Sequence, residues 1–237
     1  RGNDFRIVTY NIAHGRGTGE SNWSDSVSRG KRLRAIGAWL REVDADVVVL
    51  NEVDFSSVWS GHENQAALLA EAAGYRYRVE LTNIDVSVPF ANLRFGNAVL
   101  SRMPITKAEV IELPGYAWWE TMMGGKKLAV LCQVELGEGM RVGVVGAHFD
   151  TRGDEGIRIA SAREVNTAVK GWGLPTVVVG DLNSTPAGLP GARVGADGRS
   201  GVDVLLEEGG FTRVVVGDDS GEATPTFPSW GADRAID

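Results

Sequence analysis

The chain is short of the residues that would fix its redox compartment or its metal chemistry by themselves. One of its 237 residues is cysteine, Cys132. No disulfide can close within the chain, and a lone cysteine in an apolar, strand-like run is expected to be a buried, inert thiol. With one cysteine and three histidines, no Cys/His set has the spacing of a structural zinc site. No apolar run approaches the about 18 residues that a membrane-spanning helix needs. Positive charge is scarce as well: 24 Lys and Arg stand against 31 Asp and Glu, a net charge of −7. Proteins that coat nucleic acid draw their affinity from neutralising phosphates with a basic surface, so acidity disfavours that class while leaving room for an enzyme with a local basic cleft. The chain opens on Arg1-Gly2-Asn3 with no methionine and no signal peptide, which reads as an expression scar or a removed leader; cytoplasmic and exported locations both stay open. There is no repeat of fixed period and no low-complexity linker. Residues 1–237 therefore read as a single domain, expected to be monomeric, with enough apolar residues for a sizeable core.

What is present alternates between strand and helix patterns. Phe5–Ile12, Asp46–Leu50, Tyr75–Leu81, Asn97–Leu100, Ile105–Leu113, Lys127–Leu136, Met140–His148, Thr176–Val179 and Phe211–Val216 read as strands. Arg29–Val43, Ala66–Ala73, Glu155–Lys170 and Val202–Glu208 read as helices, the first with Leu33, Ile36, Leu40 and Val43 on one face. Gly137-Glu138-Gly139 marks a hairpin. Residues 14–26 and 187–201 are polar or glycine-rich loops. Strands joined both by hairpins and by helical crossovers imply an α/β fold of two mixed, mostly antiparallel sheets packed together with helices outside.

The apolar strands end in polar groups. FRIVTYN ends at Asn11, DVVVLNE at Glu52, RVGVVGAH at His148, VVVGD at Asp181 with Asn183 two residues on, and the last strand enters through Asp237. Ligands of open sheets sit outside strand ends. Carboxylates, amides and an imidazole gathered at one rim make a hard, oxygen-rich site suited to Mg²⁺ or Mn²⁺, which accept few carboxylates and keep positions for water and substrate oxygens.

YNI, LNEVD, GNAVLSR from Gly96 to Arg102, GAHFD, GDLNSTP and TFPS before RAID, in this order along nearly the whole chain, resemble the endonuclease/exonuclease/phosphatase superfamily with its DNase I-like, four-layer α-β-β-α sandwich. The wording of YNIAHG and LNEVD is most similar to its small bacterial metal-dependent hydrolases. The resemblance implies a phosphoesterase. Glu52 would hold Mg²⁺ or Mn²⁺ with Asn11 beside it, Asp181 would orient or deprotonate the attacking water, Asn183 would hydrogen-bond the phosphate, and His148 would stabilise phosphoryl oxygens. Asp237 matches the aspartate of a terminal Asp-His pair. The family's histidine is expected just after it, so the chain as given is expected to lack its final strand. Arg213 stands where many members carry an aspartate, and Ala13 where some nucleases carry a second acid. A binding module without catalysis on the same scaffold is the alternative that these two support.

Asp181 and Asn183 are expected to alternate along a strand extension and so to share one side. Asn97, Arg152, Trp118 and Trp119 are expected substrate contacts, the tryptophans on a rim loop. Arg158 reads equally as a phosphate clamp or a solvated charge, and His14 as a loop residue that touches substrate or solvent. GRGTG, Gly15–Gly19, lacks the spacing of a phosphate loop and reads as mobile. The expected substrate is a small-molecule or lipid-headgroup phosphate mono- or diester, with DNA or RNA the less favoured choice.

Overall fold

The computed structural model describes residues 4–214 apart from Ser24, Phe90, 116–117, 119–120, 122–124 and Gly153. In chain order the elements that matter here are β1 (Ile7–Asn11), α1 (Ser26–Val43), β2 (Val47–Asp54), α2 (Gln65–Ala73), β3 (Tyr77–Val88), β4 (Ala91–Ser101), β5 (Ile105–Leu113), β6 (Lys127–Gly137), β7 (Met140–His148), α3 (Glu155–Trp172), β8 (Thr176–Asp181) and α4 (Gly201–Gly209). The strands form two four-stranded sheets, ordered β1-β2-β4-β3 and β5-β6-β7-β8. β1 runs parallel to β2 and β7 to β8, while the other neighbours are antiparallel.

The period of two along β2 builds the layers. Val47 and Val49 face the other sheet, joining Val99, Val130, Cys132 and Val144 in an inter-sheet core. Val48 and Leu50 face outward onto Leu33 and Leu40 of α1 and Leu69 of α2. Ile111, Leu131 and Val145 of the second sheet face α3 and α4 through Ile159, Ala162, Val165, Val204 and Leu205. The result is the expected helix–sheet–sheet–helix sandwich. Burial in the inter-sheet core pushes the Cys132 thiol up to about 12, so it stays protonated and inert. Among the described residues no helix is long and apolar enough to cross a membrane.

Several elements depart from the expected bounds. α1 begins at Ser26 because the Asp25 carboxylate accepts from the amides of Val27 and Ser28, a capping interaction rather than a hydrophobic one. β3 and β4 run on past their apolar segments as a long hairpin pairing Val88 with Ala91, held by its backbone ladder with little buried face, so alternation could not reveal its length. Phe211–Val214 takes no strand conformation; Phe211 instead packs against the core beneath α3. Residues 215–216 lie outside the described residues.

Candidate active site

Close backbone approach shapes the rim where the strands end. The β2–β4 register slips between Leu50 and Val53, a bulge of the kind that re-aims a side chain, and Glu52 sits within it at φ +53°. A Cβ on Gly96, across from the bulge, would lie 1.9 Å from the Leu81 carbonyl oxygen. Gly180 has φ +134°, and a Cβ there would lie 1.9 Å from the Ala147 carbonyl oxygen; glycine is required for β8 to deliver Asp181 beside His148. Ala13, His14 and Asn183 also adopt positive φ. Such conformations cost free energy in non-glycine residues and gather where function over-determines the backbone.

β1, β2 and β8 bring together three of the expected residues. Asn11 donates its side-chain amide to Glu52 Oε1 at 2.9 Å and to Asp181 Oδ2 at 3.1 Å, and its own Oδ1 accepts from the Ala13 amide. One amide thus holds two carboxylates side by side and damps their repulsion. His148, at the end of β7, lies 4.0 Å from Asp181 Oδ2 through Nε2, an atom that is buried and has no hydrogen-bond partner among the described residues. Burial, then the charges of Lys127 and His14, hold its pKa well below the usual 6.5, so it faces the pocket as a neutral imidazole.

A cavity of about 200 Å³ opens over Glu52 and His148, lined also by His14, Asn97, Lys127 and Arg152 among others. That is smaller than pockets for drug-sized ligands and suits a phosphoryl group with part of its ester. The strand-end residues expected at the rim, Asp237 apart, close their strands, whereas Lys127 opens one. β6 runs antiparallel to β7, so the head of β6 lies on the same rim as the tail of β7. A lysine opening an apolar strand was the available signal. Burial lowers its pKa, while Asp150, Glu52 and Asp181 act in the opposite direction. Together with the half-exposed Arg152 it supplies positive charge in a net-acidic protein.

A chain of asparagines runs beneath the pocket. Asn97 donates to Asn83 Oδ1 at 3.1 Å, Asn51 donates to Asn97 Oδ1 at 2.9 Å and to the Ala147 carbonyl at 3.1 Å, and Asn51 Oδ1 accepts from the Asp181 amide at 3.0 Å. It links β3, β4 and β2 of one sheet to β7 and β8 of the other and fixes the distance between Glu52 and Asp181. Asn97, expected as a substrate contact, lines the pocket while serving as a link in this chain. Asn51→Ala would leave the Asp181 amide, the Ala147 carbonyl and Asn97 Oδ1 without this partner. The expected loss is about 2 kcal/mol of stability, measured by denaturant unfolding.

Asn183 reaches the site by another route than the expected alternation. β8 stops at Asp181. Asn183 then turns to φ +49°, with its amide on Asp181 Oδ1 and its side-chain nitrogen donating to the Phe149 carbonyl at 3.0 Å. A turn, not a strand extension, sets its position and ties it to the loop after β7. Arg158 is neither a phosphate clamp nor a solvated charge: it is fully buried and donates to Glu155 Oε2 at 2.7 Å and to the Asp150 carbonyl at 2.8 Å. His14 is likewise buried in a short turn, Ala13–Gly15, rather than lying on the surface. Trp118 is exposed. Trp119 and Asp237 lie outside the described residues.

A hard divalent cation fits the donor set. Glu52 Oε1 is held by Asn11, which leaves Oε2 for a ligand, and Asp181 lies one amide away. Among the described residues no three His, Cys, Asp or Glu side chains are grouped to hold a metal by themselves, so water and phosphate oxygens would complete the shell, as Mg²⁺ ordinarily requires.

The depressed His148 pKa has a stability consequence. As pH falls through about 6.5 the unfolded chain takes up a proton at this imidazole and the folded chain does not, so stability present above that pH is progressively lost below it. Unfolding midpoints measured at pH 7.5 and 5.5 are expected to show a smaller acid loss in His148→Gln than in the parent, by about 1 kcal/mol.

Residues 8–237 match the model of the Endonuclease/Exonuclease/phosphatase family. Among solved structures, an endonuclease/exonuclease/phosphatase from Beutenbergia cavernae is 27% identical at TM-score 0.62, with 85% of this chain and 52% of that one covered; the chain spans about half the length of that protein. A β-hairpin deletion mutant of beta toxin from Staphylococcus aureus is 19% identical at TM-score 0.61, covering 90% and 75%. The mannosyl-6-phosphatase Bt3783 of Bacteroides thetaiotaomicron is 16% identical at TM-score 0.60, covering 87% and 71%. These last two share the fold. No curated protein matches the chain.

Proposed function

The chain belongs to the Endonuclease/Exonuclease/phosphatase family, and from that premise we propose that it is a divalent-metal-dependent phosphoesterase cleaving a phosphate mono- or diester. The observation that carries the reading is the Asn11 bridge between Glu52 and Asp181, with Lys127 and Arg152 on the wall of the cavity that Glu52 lines. Glu52 would hold Mg²⁺ or Mn²⁺, which when bound supplies Lewis-acid polarisation of a phosphoryl oxygen. The Asp181 carboxylate orients the attacking water and accepts its proton. Lys127 and Arg152 take the negative charge of the phosphate, the latter through a planar fork that matches two oxygens. His148, neutral at pH 7, offers hydrogen bonding to a phosphoryl oxygen without adding a charge to desolvate. The Asn183 turn keeps the loop after β7 against β8, so that the groups on both strands face one phosphate.

Net acidity and a small cavity favour a small-molecule or lipid-headgroup ester over nucleic acid. The test is a panel of sugar phosphomonoesters, a glycerophosphodiester and a single-stranded oligonucleotide, assayed on the full-length protein with Mg²⁺ and with Mn²⁺. Metal-dependent turnover of a small ester is expected. Preference for the oligonucleotide makes the protein a nuclease, and no turnover of any substrate makes it a binding module. Lys127→Ala is expected to raise KM about tenfold or more with a smaller change in kcat, because its charge contacts phosphate in ground and transition states alike.

A further inference from the structure

His14 is the best-anchored side chain on the pocket wall, and nothing in the mechanism above uses it. Its Nδ1 lies 3.0 Å from Asp54 Oδ1. The other oxygen of that buried carboxylate accepts from Trp59 Nε1 at 3.0 Å. One side chain clasps both partners: Gln65 Oε1 accepts from the Asp54 amide and Gln65 Nε2 donates to the His14 carbonyl. Phe95 and Trp59 meet the imidazole edge-to-face, with centroids 4.9 and 5.6 Å away. A carboxylate only accepts, so Nδ1 carries a proton, and Nε2 is the ring atom left to face the pocket. It lies 3.7 Å from Glu52 Oε2, too long for a hydrogen bond, while the other Glu52 oxygen is tied to Asn11. Each group is thus pinned through its far atom and presents its near atom to the same gap.

We propose that His14 Nε2 is a metal ligand beside Glu52 Oε2, and that this nitrogen makes the centre prefer Mn²⁺ or another first-row divalent ion to Mg²⁺. The inference rests on the reading of a metal site at Glu52. Ligating histidines characteristically donate their other ring N–H to a carboxylate, which fixes the ring and raises its basicity. Donor atoms about 2.1 Å from a shared ion lie about 3–3.5 Å apart, close to the separation here. Imidazole favours transition ions, whereas an all-oxygen shell favours magnesium.

Pulsed electron paramagnetic resonance of the Mn²⁺-loaded protein reads this directly, through modulation from a coordinated ¹⁴N. Modulation is expected in the parent and in His148→Gln, and is expected to vanish in His14→Gln. Titration calorimetry is expected to show the Mn²⁺ over Mg²⁺ preference falling at least tenfold in His14→Gln. Mn²⁺ bound without nitrogen modulation, or with modulation that survives His14→Gln, overturns the proposal and leaves His14 as an ion-pair partner of Glu52. Should His14→Gln fail to fold, the parent and His148→Gln decide it, since loss of the signal in His148→Gln also overturns it. A protein that binds no Mn²⁺ at all brings down the metal site at Glu52 together with this inference, which separates the two failures.

Discussion

Asp181→Asn is expected to lower kcat about 10³-fold, within the range that a positioned acid–base group supplies, while leaving the fold intact and KM unchanged or slightly lower. The substitution keeps an oxygen that can accept from Asn11, and the backbone amide at this position stays bonded to Asn51 Oδ1. What it removes is the charge, the basicity and one acceptor, since the carboxylate takes the Asn183 amide on Oδ1 as well as Asn11 on Oδ2 and an amide oxygen replaces only one of them. Losing a carboxylate beside an anionic substrate cannot weaken ground-state binding through repulsion, so the effect should fall on kcat. Asp181→Ala adds the loss of the Asn11 contact and is expected to be no more active. Steady-state kinetics on the best ester of the panel, beside a thermal melt, provide the check. Activity of Asp181→Asn within tenfold of the parent would remove Asp181 from the chemistry.

Glu155→Ala is expected to cost about 3–5 kcal/mol of stability, because it strands a buried guanidinium. For a chain of this size that lowers Tm by about 10 °C. The Glu155 and Arg158 side chains are each about 1% exposed. Arg158 holds the loop after β7 through the Asp150 carbonyl. Glu155 Oε1 accepts from the Ser184 hydroxyl at 2.5 Å and from the Gly201 amide at 2.9 Å. The ion pair therefore fastens the exit of β7, the exit of β8 and the start of α4 to α3. An apolar pair of similar volume, Glu155→Leu with Arg158→Met, should recover most of the lost stability, since a buried ion pair repays little beyond its own desolvation. It cannot recover the bonds to Asp150, Ser184 and Gly201. A melt near that of the parent combined with an activity loss of tenfold or more is the expected signature. Full activity in the apolar pair would show that these loops hold their positions without it.

The two predictions differ in how visible their residues were. Asp181 is the polar end of an apolar strand in a short motif, and both its presence and its neighbourhood with Glu52 could be expected from the chain. Arg158 stands three residues after a helix start among other charges, where solvation is the ordinary fate of an arginine. Nothing local distinguishes it from its neighbours; its burial follows from where Ser184, Gly201 and the Asp150 carbonyl arrive. Lys127 and His14 behave in the same way. One needed the antiparallel pairing of β6 with β7 to reach the rim, and the other needed Asp54, forty residues on, to draw it out of a polar loop.

By itself the order of residues determined the layers and which polar groups close the strands. The period of two in Val47–Leu50, the three- and four-residue spacing in α1, and polar residues closing apolar strands are local signals, readable because each depends only on neighbours along the chain. Tertiary structure alone decided which polar groups meet: Asn11 between two carboxylates, the asparagine chain joining the sheets, the His14–Asp54 pair and the buried Glu155–Arg158 bracket. Several of these contacts span forty to more than a hundred residues, and their geometry is set by strand register and by how the two sheets pack face to face, which no short stretch of sequence encodes.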